Sequence, residues 1–294
     1  MKRIIFFIFI GFISAYSLSW DVYFSQSVDT TFATTTNARG NVDLRQIVKN
    51  IIDSSSLTID ICVYSISSIQ IVRSIINAKN RGVMVRIITD QSTISAPEID
   101  SLEASGIRVI SQLFGRYTSS SLMHNKFILV DFGDTTREVL VVGSFNFTDI
   151  RNADNMIVIR NAHSLMENYY REFNQMWGST VGIPDSSRSV FERYKSEITP
   201  HMFTIDGKIV EQYFLPKDSL AEVLRRVIRG AQKEIYFSVY AFTLTDVRDV
   251  MRAMHDSIGV VVKGVIDARS FSLSVGPSMT GWAYVYSDSA YYLL

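Results

Sequence analysis

The chain has 294 residues, 47% of them hydrophobic and 20% charged, a globular composition long enough for one large domain or two medium ones. Its 29 basic and 29 acidic residues cancel, so the balance of charge offers no polyanion-binding surface at the level of the whole chain. A single cysteine, Cys62, excludes an intrachain disulfide.

The first segment reads as a leader. Lys2 and Arg3 precede the apolar run Ile4 to Ile13, and small residues follow at Ser14, Ala15, Ser17 and Ser19. That order describes a secretory signal peptide over residues 1–19, cleaved near Ser17 or Ser19. It makes the remainder secreted or periplasmic; the alternative is an uncleaved N-terminal anchor facing outward. No later stretch is long and apolar enough to be a transmembrane helix.

Next comes an internal repeat. A helical stretch, Val42 to Ile52, leads into a strand, Leu57 to Tyr64, then a helix, Ile69 to Asn80, and a strand ending at Asp90. The same order returns as Ser219 to Arg229, Glu234 to Tyr240, Val247 to His255 and Gly259 to Asp267. Tyr64 and Tyr240 are 176 residues apart, and Asp90 and Asp267 are 177 apart. Upstream, Tyr23-Phe24-Ser25 echoes Tyr213-Phe214-Leu215. Val/Ile-rich strands alternating with amphipathic helices predict an α/β fold with a largely buried sheet. Cys62 falls in one such strand and reads as a small buried apolar residue. The segment 181–200, with Gly182, Pro184, Asp185, Ser186 and Ser187, reads as a linker between a first domain at 20–180 and a second repeat at 201–294.

The chemistry concentrates in Met123-His124-Asn125-Lys126-Phe127-Ile128-Leu129-Val130-Asp131. His124 and Lys126 are two apart, so a strand points both to one face. A short turn leads to a second strand, Val139 to Val142, ending in Gly143-Ser144-Phe145-Asn146. A hairpin of these strands puts His, Lys, Ser and Asn around one spot. Such a set suits a phosphodiester. Neutral imidazole attacks phosphorus, Lys126 offsets charge on the non-bridging oxygens, and Ser144 and Asn146 add oriented hydrogen bonds. Gly143 lets the backbone come close. The other histidines, His163, His201 and His255, lack such company, and no zinc spacing is present.

His124-x-Lys126-x4-Asp131 followed by Gly143-Ser144-x-Asn146 resembles the HKD signature of the phospholipase D superfamily, most of all its small secreted nuclease-like branch. The resemblance covers about Tyr23 to Trp177. It implies an α-β-α sandwich with a mixed β-sheet, internally repeated, the second repeat incomplete and without its HKD motif. It implies His124 as a nucleophile forming a covalent phosphohistidine, phosphate held by Lys126, Ser144 and Asn146, and metal-independent catalysis without a cofactor. Asp131 belongs to the signature's catalytic set. It is seven residues from His124, so an ideal strand points it to the opposite face and gives it a structural part. Asp154 stands where the family places a Glu that orients the nucleophilic histidine, one methylene shorter.

The superfamily joins two half-sites, one histidine attacking and the other protonating the leaving oxygen. The repeat offset projects a second histidine to about position 301, beyond residue 294. Either the sequence is a piece of a two-motif protein, or two copies pair as a homodimer. Substrates implied are phospholipids, cut to phosphatidate plus headgroup, or nucleic acids in an endonuclease; a third reading is an inactive phosphate-binding scaffold. Residues 20–180 hold 14 basic and 16 acidic side chains, which weighs against non-specific nucleic-acid binding.

Overall fold

A computed structural model describes residues 18–29, 31, 38–117, 121–149 and 152–288. All but the end of the expected leader, and the terminal Tyr291–Leu294, lie outside the described residues. In chain order the elements are β1 (Ser19–Phe24), α1 (Leu44–Ser54), β2 (Thr58–Val63), α2 (Ile69–Asn80), β3 (Met84–Ile88), α3 (Pro97–Ala104), β4 (Arg108–Ile110), β5 (Lys126–Val130), β6 (Val139–Gly143), β7 (Asn155–Arg160) and α4 (His163–Trp177). There follow β8 (Met202–Ile205), β9 (Lys208–Glu211), α5 (Leu220–Arg229), β10 (Glu234–Val239), α6 (Thr245–Ile258), β11 (Val261–Asp267) and β12 (Tyr284–Asp288).

Seven strands form one mixed sheet in the order β1-β7-β6-β5-β2-β3-β4. β2, β3 and β4 run parallel, whereas β5 pairs antiparallel with β2, in the register Cys62–Phe127 and Val63–Lys126. Both faces are covered, which is why these strands read as nearly unbroken apolar runs rather than alternating ones. Ile128, Val130 and Val141 face a layer built from α1, α2 and α3. Phe127, Leu129 and Leu140, the alternate residues, face α4 through Leu165, Met166, Tyr169 and Phe173. The expected α-β-α sandwich is thus present.

Local chemistry sets the helix ends. Asp43 caps α1 by accepting the Arg45 N–H, and Leu44, Val48, Ile51 and Ile52 give that helix one buried stripe. Pro97 opens α3, and Gly178, at φ 82°, closes α4.

One polar pair lies inside the α4 layer. Asp60 and Arg86 face each other across β2 and β3. Arg86 donates to both carboxylate oxygens at 2.6 Å and to Asn174 Oδ1 at 2.9 Å. The guanidinium lies 4.7 Å from the Phe173 ring centre and 5.8 Å from that of Trp177.

The segment 181–200 is irregular, but it is packed. Val190 N–H donates to Gln175 O, Ser189 Oγ–H to Met176 O, and Lys195 Nζ to Glu172. The β8–β9 hairpin then lays Phe203 and Ile205 into the α4 layer. Packing of the first unit therefore continues past the expected boundary at 180, because the flank of α4 is apolar and needs that cover.

In the second unit α5, β10, α6 and β11 repeat the order α1, β2, α2 and β3. β10, β11 and β12 make a parallel three-stranded sheet, and β2, β3 and β4 run parallel in the same order within the larger one. One face packs on α5 and α6 through Ile235, Phe237, Val262 and Ile266. The other carries Tyr236, Tyr284 and Tyr286, all exposed. Among the described residues no helix is long and apolar enough to cross a membrane.

Candidate functional site

The antiparallel β2–β5 pair decides where the polar residues meet. It brings the start of β5 to the same end of the sheet as the exits of β2, β3 and β6. His124 does not lie on a strand, as the spacing had suggested. Strand pairing stops at Val63–Lys126, because the Met123 N–H is taken by the Asp90 carboxylate (2.7 Å) instead of a neighbouring strand. His124 is therefore held on a short irregular stretch between that bond and the first residue of β5.

Lys126 opens β5 and donates from Nζ to the carbonyl oxygen of His124 (3.0 Å). Across β5 and β6, Phe127 pairs with Val142, which sets Lys126 beside Gly143 at the strand end. Ser144 and Asn146 follow at once. The turn that bears them is clamped from the other side: Ser67 and Ser68 N–H donate to Phe147 O, and Phe147 N–H donates to Ser65 O. Ser144 Oγ–H donates to Asp154 Oδ1 (2.7 Å) and its oxygen accepts the Asn155 N–H (3.1 Å). Asn146 Oδ1 is buried with no hydrogen-bond partner. An orphaned amide oxygen of this kind can be satisfied only by a donor.

Asp131 and Gly143 have structural parts. Asp131 sits at the far end of β5, about 16 Å from Lys126 at ~3.3 Å per residue. Its carboxylate accepts the backbone N–H groups of Ser56, Leu57 and Thr58 at 2.7–3.1 Å, at 2% exposure. It holds the turn into β2 and takes no place beside His124, so its membership of a catalytic set is corrected. The sheet itself requires Gly143: a Cβ there would lie 2.2 Å from the carbonyl oxygen of Asn155, on the neighbouring β7. Asp154 does join the cluster. Its hydrogen bond goes to Ser144, where the sequence had aimed it at His124.

Electrostatics follow from half-burial. Burial first, and the Lys126 charge second, hold the His124 imidazole below its usual pKa, against an opposing pull from Asp90. Burial pushes the Lys126 ammonium down to about 8, opposed by the Asp154 carboxylate. Burial raises Asp154, opposed by the Ser144 hydrogen bond and by Lys126. At neutral pH the site thus offers an uncharged imidazole beside a cation.

Three contributors were not assigned from the sequence. Tyr64, leaving β2, meets the His124 ring edge-on at 5.0 Å, and Lys126 Nζ lies 5.7 Å from the centre of its ring. Asp90, leaving β3, accepts Met123 N–H and Gln112 Nε2–H on one oxygen and Ser92 N–H and Oγ–H on the other. Ser25, just after β1, accepts the Asp154 N–H (2.8 Å). Tyr64 and Asp90 were visible as the fixed points of the internal repeat, and Ser25 as part of Tyr23-Phe24-Ser25, but their contacts are tertiary. His163 pairs with Glu138 (2.9 Å) and His201 with Glu197 (3.0 Å), so neither joins the cluster.

Comparison with known proteins agrees with this layout. Residues 48–177 match the family described as cardiolipin synthase, PLD-like domain. The chain is 30% identical over 128 residues to a mitochondrial cardiolipin hydrolase of Danio rerio, covering 42% of this chain and 52% of that protein. It is 33% identical over 133 residues to a phospholipase D of Rickettsia felis, covering 44% and 61% respectively. The chain thus spans about half to three-fifths of the length of these relatives. In fold alone it is similar to the phosphatidylserine synthase of Haemophilus influenzae, with a TM-score of 0.53 at 10% identity, over 77% of this chain and 60% of that one. The signature at one end of a mixed sheet and the match over residues 48–177 agree, so that this stretch, under half of the chain, forms a PLD-like domain of the phospholipase D superfamily.

Proposed function

We propose that the chain is a phospholipase D-like phosphodiesterase with His124 as its nucleophile. What supports this reading is that His124 and Lys126, at the start of β5, and Ser144 and Asn146, just past β6, lie at adjoining ends of two paired strands. Nε2 or Nδ1 of the neutral imidazole forms a bond to phosphorus while the P–O bond to the leaving group breaks. Lys126 and the Asn146 NH2 stabilise the non-bridging oxygens, and Ser144 joins them when its hydroxyl turns from Asp154 to the phosphate. A second histidine, from another HKD motif, protonates the leaving oxygen and then takes a proton from the water that cleaves the phosphohistidine. A homodimer of this chain, or a longer parent protein, supplies it. No metal enters this scheme. Asp154 positions Ser144, and Asp90 positions the stretch that carries His124. The leader over residues 1–19 makes this an exported enzyme.

The preferred substrate is a phospholipid, cut to phosphatidate and headgroup, since the near-zero net charge gives a polynucleotide little to bind. The test is hydrolysis of bis-p-nitrophenyl phosphate in EDTA by the chain and by His124→Asn. We expect activity that survives EDTA and falls at least about a thousandfold in the variant. Activity retained by His124→Asn refutes the mechanism.

A further inference from the structure

Beside His124 lies a cleft of about 410 Å³, within the usual size of ligand clefts of roughly 300–1,000 Å³. Its floor is Met123, Met176 and Phe191, all buried. Its mouth is Leu122, Leu215 and Pro216, and the two leucines are 62% and 54% exposed. Isolated exposed leucines are ordinary, but here two flank an apolar floor that also meets the nucleophile. Phe191, Leu215 and Pro216 lie outside the family-matched residues 48–177, so that side of the cleft is built by chain beyond the matched domain.

Apart from His124 and Asn125, whose Nδ2 lies 3.9 Å from the Met176 sulfur, the polar groups around the cleft are engaged with one another or with the surrounding protein. Gln112 donates from Nε2 to Asp90 and Ser121 O, and its Oε1 accepts the Gln91 N–H. Lys195 Nζ donates to Glu172 and to Leu215 O. Glu192 accepts from Ser121 Oγ–H and adds a carboxylate at the wall. A nucleobase is read by donors and acceptors along its edge, and the next phosphate of a polynucleotide would meet that carboxylate. A hydrocarbon chain needs only apolar contact.

We infer that this cleft is the subsite for the aliphatic part of a glycerophospholipid whose phosphorus lies at His124, with Leu122 and Leu215 as its specificity-determining residues. The inference rests on the phosphodiesterase reading for the position of the phosphorus, but its test does not need turnover. Binding of dihexanoyl phosphatidylcholine, below its micelle concentration, and of a short oligothymidylate is measured calorimetrically on His124→Asn, alone and combined with Leu122→Gln or Leu215→Gln. Both leucines are exposed, so the chain tolerates the changes, which a thermal melt verifies.

We expect the lipid to bind, and each glutamine to weaken it about five- to tenfold, as loss of roughly half a leucine's burial implies. No lipid binding, or lipid binding unchanged by both glutamines, overturns the assignment. So does an oligothymidylate that binds more tightly and loses affinity in the glutamine variants, which gives the cleft to nucleic acid. Failure of the phosphodiesterase reading shows separately, as absent bis-p-nitrophenyl phosphate hydrolysis by the unaltered chain.

Discussion

Asp90→Ala tests whether the stretch bearing His124 is held in place from β3. Asp90 is 1% exposed, and one of its oxygens accepts both Met123 N–H (2.7 Å) and Gln112 Nε2–H (2.8 Å). Alanine leaves both donors without that acceptor in a buried setting. At about 1–3 kcal/mol for each unsatisfied group, the loss is roughly 2–6 kcal/mol, unless the stretch moves to find other partners. Movement is the cheaper course, since residues 121–125 are irregular and carry no strand pairing. A displacement of about 1 Å at a reacting group typically costs on the order of a hundredfold in rate. We therefore expect kcat on bis-p-nitrophenyl phosphate to fall about a hundredfold. KM should change little, because Ser144 and Asn146 are held by β6 and β7. Asp90→Asn is the sharper control. Its amide oxygen keeps the Met123 and Gln112 bonds, while its NH2 turns to Ser92, whose hydroxyl can accept although the Ser92 N–H loses its acceptor. The rate is then largely retained. Removing the Asp90 charge, which raises the His124 pKa, moves the acid limb of the pH profile lower. An Asp90→Ala enzyme whose kcat stays within twofold of the parent, although its melting temperature drops, would refute the positioning role.

Two further outcomes follow from the geometry. The kcat/KM profile should be bell-shaped: below its acid limb His124 is protonated and cannot attack, and that limb lies under 6.5 because burial and Lys126 depress the imidazole. Above about 8 Lys126 loses its proton and activity falls, so Lys126→Arg, which stays charged, should extend the alkaline side even if its peak rate is lower. Arg86→Met strands the Asp60 carboxylate, which is 1% exposed, and should cost about 3–5 kcal/mol in urea unfolding followed by Trp177 fluorescence. Replacing both partners, Asp60→Leu with Arg86→Met, should recover most of that loss; a double variant no more stable than the single would show that the pair is not the source.

Much of the fold was legible because β2, β3, β5 and β6 are Val/Ile-rich runs buried on both faces, and α1 and α2 carry clean apolar stripes. The hairpin that gathers Lys126, Ser144 and Asn146 follows from spacing alone. The remainder depended on partners distant in sequence. β1 is a strand because β7 pairs with it, Ser19 with Arg160 and Phe24 with Asn155, and neither segment announces the other. The packing of residues 181–214 was hidden by turn-forming residues that elsewhere mark a free connection. His124 fell short of β5 because a carboxylate 34 residues earlier captured the backbone before it. Asp154 turned to Ser144 because a hydroxyl ten residues away was within reach.

The lone thiol is an unused reporter. Cys62 is wholly buried on β2, its Sγ 3.5 Å from the sulfur of Met123, and burial drives its ionisation far above the ordinary range. Thiol reagents act on the thiolate, so the native chain should be inert to them and indifferent to whether its surroundings are oxidising or reducing. Labelling then proceeds only through openings that expose β2. Its rate under native conditions gives the free energy of separating the strand that lies beneath the histidine, read without a probe being introduced.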